Sequence, residues 1–206
     1  MSGPESDPAQ AVVDLAFSLQ GSRLPADYRF ELLQALASLI PWLEEEPGAG
    51  IVGISATPTG SDVSLLSRRA KLTLRVPAAR VPQARPLQGR AIRLGSDEIV
   101  IGGARERALQ PSDTLYADMV VLASAEEAAF DRDLGALIRA EALDCRWILG
   151  RQRRLSRPGG ILRGFAVALH GCKPALSLQL QRRGLGGERA LGCGIFVAHK
   201  RIESPE

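Results

Sequence analysis

Arg182-Arg183-Gly184-Leu185-Gly186-Gly187-Glu188-Arg189-Ala190-Leu191-Gly192-Cys193-Gly194-Ile195-Phe196-Val197 is the stretch from which the chain is best read. Five glycines fall within eleven residues, and an apolar run follows them. Glycines this dense mark backbone that needs positive φ or a close approach by another group. The run Leu191 to Ala198 predicts a strand. A dinucleotide site needs the opposite order, strand first and glycines next. A P-loop would need Gly-Lys-Ser/Thr, which is missing. Two readings remain. Gly184, Gly186, Gly187, Gly192 and Gly194, flanked by Arg182, Arg183 and Arg189, form a loop that lies along a phosphate chain, or the glycines make a tight turn before the last strand.

Working back from this loop, Pro174 to Arg183 reads as a short helix, Ile161 to Leu169 and Cys145 to Gly150 as strands, and Ser124 to about Leu143 as a helix capped by Ser124. Thr114 to Ala123 reads as a strand. The first half shows the same order. Ala11 to Gln20 alternates as a strand, Gly21 to Ala26 is a loop, and Asp27 is the expected N-cap of a helix carrying Leu32, Leu33, Leu36, Leu39 and Ile40. Gly48 to Thr57 and Ala70 to Val76 are strands. Ala78 to Leu87 is a short helix broken by prolines, and Ala91 to Gly102 is a strand or a hairpin turning at Gly95-Ser96. Each half is βαββαβ. The expected fold class is α+β, with two tandem ferredoxin-like (RRM-like) units, antiparallel sheets and a C-terminal glycine-rich loop. The expected divisions are a tail over 1–10, a first unit over 11–103, a connector over 104–113, a second unit over 114–199 and a tail over 200–206. Aromatic residues are 4% of the chain, which argues against bases stacking on a sheet face.

Composition narrows the function. At 206 residues, with 45% apolar and 24% charged, the chain is of ordinary globular type. No apolar run is long enough for a membrane span, and the polar, acidic Met1 to Gln10 lacks the basic start of a signal peptide. Cys145, Cys172 and Cys193 are odd in number and lack CxxC spacing, which fits a reducing cytoplasm and neither a disulfide scaffold nor a zinc site. Net charge is only +3, but its distribution is uneven. Val63 to Ser96 holds seven arginines, one lysine and no acid, and Cys145 to Gly187 holds eight arginines, one lysine and no acid. Such blocks point to a polyanion partner, and the excess of Arg over Lys favours bidentate phosphate contacts.

Several stretches in order carry a resemblance. Gly-Leu-Gly-Gly-x-Arg-x-x-Gly-Cys-Gly-Ile-Phe near the C-terminus resembles the signature loop of RAMP-superfamily CRISPR proteins. Phe17 to Asp27 with its Leu-Pro-x-Asp, Ser67 to Pro77 with its Arg-Val-Pro, Leu109 to Ala117 and Gly164 to Val167 are similar to the small MYXAN-type branch of the repeat-cleaving CRISPR endoribonucleases, the sixth Cas family. The resemblance runs from about Val12 to Val197. It implies two ferredoxin-like units and metal-independent cleavage of CRISPR repeats, with no cofactor. The implied partners are the repeat RNA stem-loop and other Cas effector subunits. The family commonly opens its first helix with a catalytic histidine after Leu-Pro-x-Asp; here that residue is Tyr28. The two histidines, His170 and His199, lie elsewhere.

Metal-free RNA cleavage uses the substrate's own 2′-hydroxyl. It needs a base for that hydroxyl, an acid for the departing 5′-oxygen and cations for the phosphorane. A free phenol is almost wholly protonated at neutral pH, so tyrosine is a poor base and a better proton donor or phosphate orienter. The catalytic candidates are Tyr28, Arg23, Arg69 and Lys71. The RNA-binding candidates are Arg29, Arg68, the hairpin Arg151, Arg153, Arg154 and Arg157, then Lys173 and the terminal loop with its arginines. No metal ligand set is expected. A basic hairpin suits the phosphate flank of an RNA stem, which is read by shape. Set against cleavage is a second expectation, an RNA-binding subunit with little or no activity, which the tyrosine at the histidine position favours. A ferredoxin-like protein unrelated to RNA is disfavoured by the acid-free blocks.

Overall fold

The computed structural model describes residues 11–199. The expected tails over 1–10 and 200–206 lie outside the described residues. The chain divides after Ala108 into two compact units.

In the first unit the central strand β1 (Val12–Gln20) buries Val13, Leu15, Phe17 and Leu19 on one face, as period-two alternation demands. The chain continues through β2 (Arg23–Pro25), α1 (Arg29–Ala37), α2 (Trp42–Glu45), β3 (Gly50–Ile54), β4 (Thr57–Pro58), β5 (Val63–Leu65), β6 (Lys71–Pro77), α3 (Val81–Ala84), β7 (Ala91–Leu94) and β8 (Asp97–Ala108). The main sheet has the order β3-β6-β1-β8-β7. With β7 set aside, this is the ferredoxin-like order, in which the third βαββαβ strand separates the first from the second and the fourth flanks the first. Helix α1 covers the sheet with Leu32, Leu33 and Leu36.

Several expectations need correction here. The residue at the boundary of α1 is Tyr28, not Asp27. The loop at 21–26 contains β2, which joins β5 and β4 in a small sheet. Strands of two or three residues are too short to show periodicity. Pro82 and Pro86 reduce the second crossing to a 3-10 turn, one turn of α-helix and another 3-10 turn, whose Val81, Ala84 and Leu87 still fill the core. Of the two readings of Ala91 to Gly102 the chain takes the hairpin, turning at Gly95 and Ser96, but β8 runs on to Ala108, into the stretch from residue 104 expected to be connector. Arg75 is buried opposite Asp14 and bound by it twice, Nε to Oδ1 at 2.7 Å and Nη2 to Oδ2 at 3.0 Å.

The second unit repeats the plan with β9 (Thr114–Val120), α4 (Glu127–Ala140), β10 (Arg146–Arg157), β11 (Gly160–His170), α5 (Pro174–Arg183) and β12 (Val197–Ala198), in sheet order β10-β11-β9-β12. Its core packs Phe130 against Phe165 at 4.8 Å, with Leu115, Leu134, Val167, Leu180 and Phe196 around them. Helix α4 is capped by Glu126, not Ser124. The Glu126 carboxylate accepts from the N–H groups of Ala128 (3.0 Å) and Ala129 (2.8 Å), and these bonds hold its pKa below the usual value. The helix also stops at Ala140, short of Leu143. Pro174 opens α5 and Gly184, at φ 71°, closes it. Cys145, Cys172 and Cys193 form no disulfide among the described residues.

The largest correction concerns the last strand. Only Val197 and Ala198 pair, with Tyr116 and Leu115. Leu191, Cys193, Ile195 and Phe196 are buried, but they belong to a turn and an irregular segment. The apolar run signals burial, not pairing.

Candidate nucleic-acid interface

The terminal glycine loop spends its backbone on its own fold. The N–H groups of Gly184, Leu185, Gly187 and Gly194 donate to the carbonyls of Leu180 (2.8 Å), Gly194 (3.1 Å), Val121 (3.1 Å) and Met119 (2.7 Å). Those of Gly192 and Cys193 donate to Arg189 (2.8 Å) and Glu188 (3.2 Å). Gly194 has φ +66°, and a side chain there would run into the carbonyl oxygen of Leu185. Arg189 turns back to the end of α5, giving Nη1 and Nη2 to the carbonyls of Arg183 (3.2 Å) and Arg182 (2.9 Å). Of the two readings of this loop, a run of N–H groups along a phosphate chain or a tight turn, these internal bonds favour the turn, packed as a corner. Arg182 is half-buried at its edge, and Arg183 reaches Glu141 at 3.8 Å.

The arginines at 151–157 do the opposite. The sequence places them in a loop between two strands, but they lie on β10 itself, which pairs with β11 out to Arg157 and Gly160 as one long ribbon turning at Pro158-Gly159. Arginines interrupt the apolar alternation, so the sequence masks the strand. Arg151, Arg154 and Arg163 are exposed, and Arg154 sits directly opposite Arg163. Neither forms an ion pair among the described residues. Like charges opposed across a ladder are destabilising, and a phosphate between them relieves the repulsion. Arg153 and Arg157 are more committed, to Asp118 (2.8 Å) and Glu188 (2.6 Å). Lys173 is bound by Asp144 at 2.6 Å on the surface, and this contact raises the lysine pKa. Sequence reasoning missed Arg163; its signal is the register opposite Arg154. Tyr116 and His199 lie 5.5 Å apart as tilted rings.

In the first unit, Tyr28 is buried, and its phenol oxygen accepts the N–H of Ile54 at 2.9 Å. The next residue, Ser55, gives its N–H to the Lys71 carbonyl (2.9 Å) and accepts the Lys71 N–H on Oγ (2.8 Å). The Tyr28 phenol, Ser55 and the backbone of Lys71 thus lie at one end of the β3–β6 pair. Arg68 and Arg69 are exposed in the turn leading into it, where the Arg69 N–H donates to Ser67 Oγ at 3.2 Å. Arg29 is the first helical residue after Tyr28. Arg23 is bound by Asp97 at 2.7 Å, a contact that raises its pKa and ties it to the start of β8.

Two βαββαβ units in tandem, with the same strand order and an arginine ribbon on the second, define a tandem ferredoxin-like protein. The chain belongs to the Cas6 family: the family profile described as Cas6 Crispr matches residues 13–201. It is 31% identical over 186 residues to a CRISPR-associated endonuclease Cas6 of Myxococcus xanthus, covering 90% of this chain and 80% of that one. In structure it is similar to a Cas6-related protein of Pyrococcus furiosus (TM-score 0.63, 14% identity, 92% of this chain and 100% of that one). It is also similar to a RAMP protein described as binding different RNA substrates (TM-score 0.60, 14% identity, 91% and 100%).

Proposed function

We propose that this chain is a repeat-processing endoribonuclease of the cytoplasm. It binds the stem-loop of a CRISPR repeat, cuts the precursor transcript without a metal ion and keeps hold of the product, alone or with other Cas effector subunits. The observation that carries the reading is the ribbon, with its exposed Arg151, Arg154 and Arg163, which form no ion pair among the described residues. The wide flank of an A-form stem presents phosphates to such a surface. The named activity of the Myxococcus xanthus relative supports cleavage.

In the reaction the 2′-oxygen forms a bond to the adjacent phosphorus as the bond to the 5′-oxygen breaks. A proton leaves the 2′-hydroxyl and another reaches the departing oxygen. The products are a 2′,3′-cyclic phosphate and a 5′-hydroxyl. Arg68 and Arg69, in the turn that precedes Lys71, supply positive charge for the phosphorane. The phenol of Tyr28 already accepts the Ile54 N–H and keeps its own O–H to donate, so it suits the donor's or orienter's part rather than the base's. The burial of that phenol favours a second reading, an RNA-binding subunit in which Tyr28 is a core residue and cleavage is slight.

Single-turnover cleavage of a labelled repeat hairpin in EDTA separates the two. The first reading expects one cut with a cyclic phosphate, slowed in Tyr28→Phe. Tight binding without a cut would establish the second.

A further inference from the structure

Beside Lys71 the main sheet of the first unit is opened by a bulge. The pairing of β1 with β8 slips between Phe17 and Leu19, where Ser18 faces Gly102 and Gly103. Bulges re-aim side chains and recur beside functional sites. This one leaves a depression of about 340 Å³ lined by Ala16, Ser18, Lys71, Gly103, Ala104 and Arg105. Ladder register explains why these residues meet. Ser18 lies opposite Lys71 on β6, and Ala16 lies opposite Arg105 on β8. Residues from three strands far apart in sequence are thus set around one hollow.

The hollow is cationic. Neither Lys71 nor Arg105 forms an ion pair among the described residues. Asp14, farther along the same face, is held by the buried Arg75. Arg107, opposite Asp14, adds a further positive charge. The lining also offers the Ser18 hydroxyl, which reaches the Gly103 carbonyl only at 3.5 Å. A side chain built at Gly103 would meet nothing within 4 Å, so the space beside it is open.

Two cations and a hydroxyl around a small concave space suit one phosphate group. A duplex presents its phosphates on a broad convex surface that does not enter a hollow of this size, whereas an unpaired nucleotide does. We propose that the hollow formed by Ser18, Lys71 and Arg105 holds a phosphodiester of an unpaired RNA segment flanking the stem, with Arg105 as a positioning residue. This rests on the reading that RNA is the ligand.

The test uses the full chain and two RNAs, a repeat hairpin with its single-stranded flanks and the same hairpin trimmed to the stem-loop, titrated by fluorescence anisotropy over a range of salt. Arg105→Ala and Gly103→Asp are compared with the parent. Both variants should weaken the flanked RNA about tenfold, the scale of a hydrogen bond to a charged group. Arg105→Ala should also lower its salt slope by about one. Neither variant should change affinity for the trimmed hairpin, which reports that the fold is intact. Equal weakening on both RNAs, or no weakening on either, would overturn the proposal. A parent that binds neither RNA would overturn the RNA reading as well, and that result is separate from the others.

Discussion

The terminal loop at 184–194 and the ribbon of β10 and β11 belong to the same unit and face opposite ways in chemical terms. The loop turns its N–H groups to Leu180, Gly194, Val121 and Met119, and Arg189 closes the end of α5. The ribbon leaves Arg151, Arg154 and Arg163 on the surface, two of them in mutual repulsion. A dense run of glycine reports tight packing as readily as ligand binding. What separates the two is where each polar group finds its partner. Arg75 follows the loop's pattern, since it lies in an acid-free basic block and is nevertheless buried on Asp14.

The contrast is open to breakage. Asp14→Ala should cost most, about 3 kcal/mol or more in urea unfolding, because it strands a buried guanidinium. Wild-type stability would mean that Arg75 is not inward equipment. Gly194→Ala should cost about 2–3 kcal/mol from positive φ and the clash with the Leu185 carbonyl, while the folded protein keeps its RNA affinity. A stable Gly194→Ala protein that no longer binds RNA would turn the comparison around. Tyr28→Phe should lose about 1 kcal/mol by leaving the Ile54 N–H without its acceptor; unchanged stability would return the phenol to a purely catalytic account. The smallest effect belongs to Glu126. Its pKa is held below the ordinary 4.5 by the N–H groups of Ala128 and Ala129, so its support for α4 is full above that value and fades as pH falls through the lowered one. Glu126→Gln should flatten the acid limb of stability between neutral pH and acid; an unaltered limb would contradict this cap.

Much of the fold is legible in the sequence because it rests on local periodicity. The alternation of Val13, Leu15, Phe17 and Leu19, the helical leucines of α1, and the Pro174 and Gly184 that bound α5 are all local signals. The order βαββαβ, twice, follows from them. The small sheet of β2, β5 and β4 is not legible, since its strands are shorter than a recognisable period. The last strand is overread because Leu191 to Phe196 is apolar for burial alone. The site is less legible than the fold. Counting charge along the chain makes Arg75, Arg80 and Arg157 look available to a polyanion, whereas Asp14, Glu46 and Glu188 reach them from outside their blocks. Arg105 and Arg163 go unnoticed because only strand register sets them beside Lys71 and Arg154.

The most direct test of the account is the salt dependence of repeat-hairpin binding in the parent, in the double variant Arg154→Ala with Arg163→Ala, and in Gly194→Ala. Removing one arginine from a phosphate lowers the slope of log K against log salt by about one. The slope should be lower by about two in the arginine variant and equal to the parent's in the folded Gly194→Ala protein. A parental slope in the arginine variant, with a reduced one in Gly194→Ala, would contradict it and make the glycine loop the surface that meets RNA.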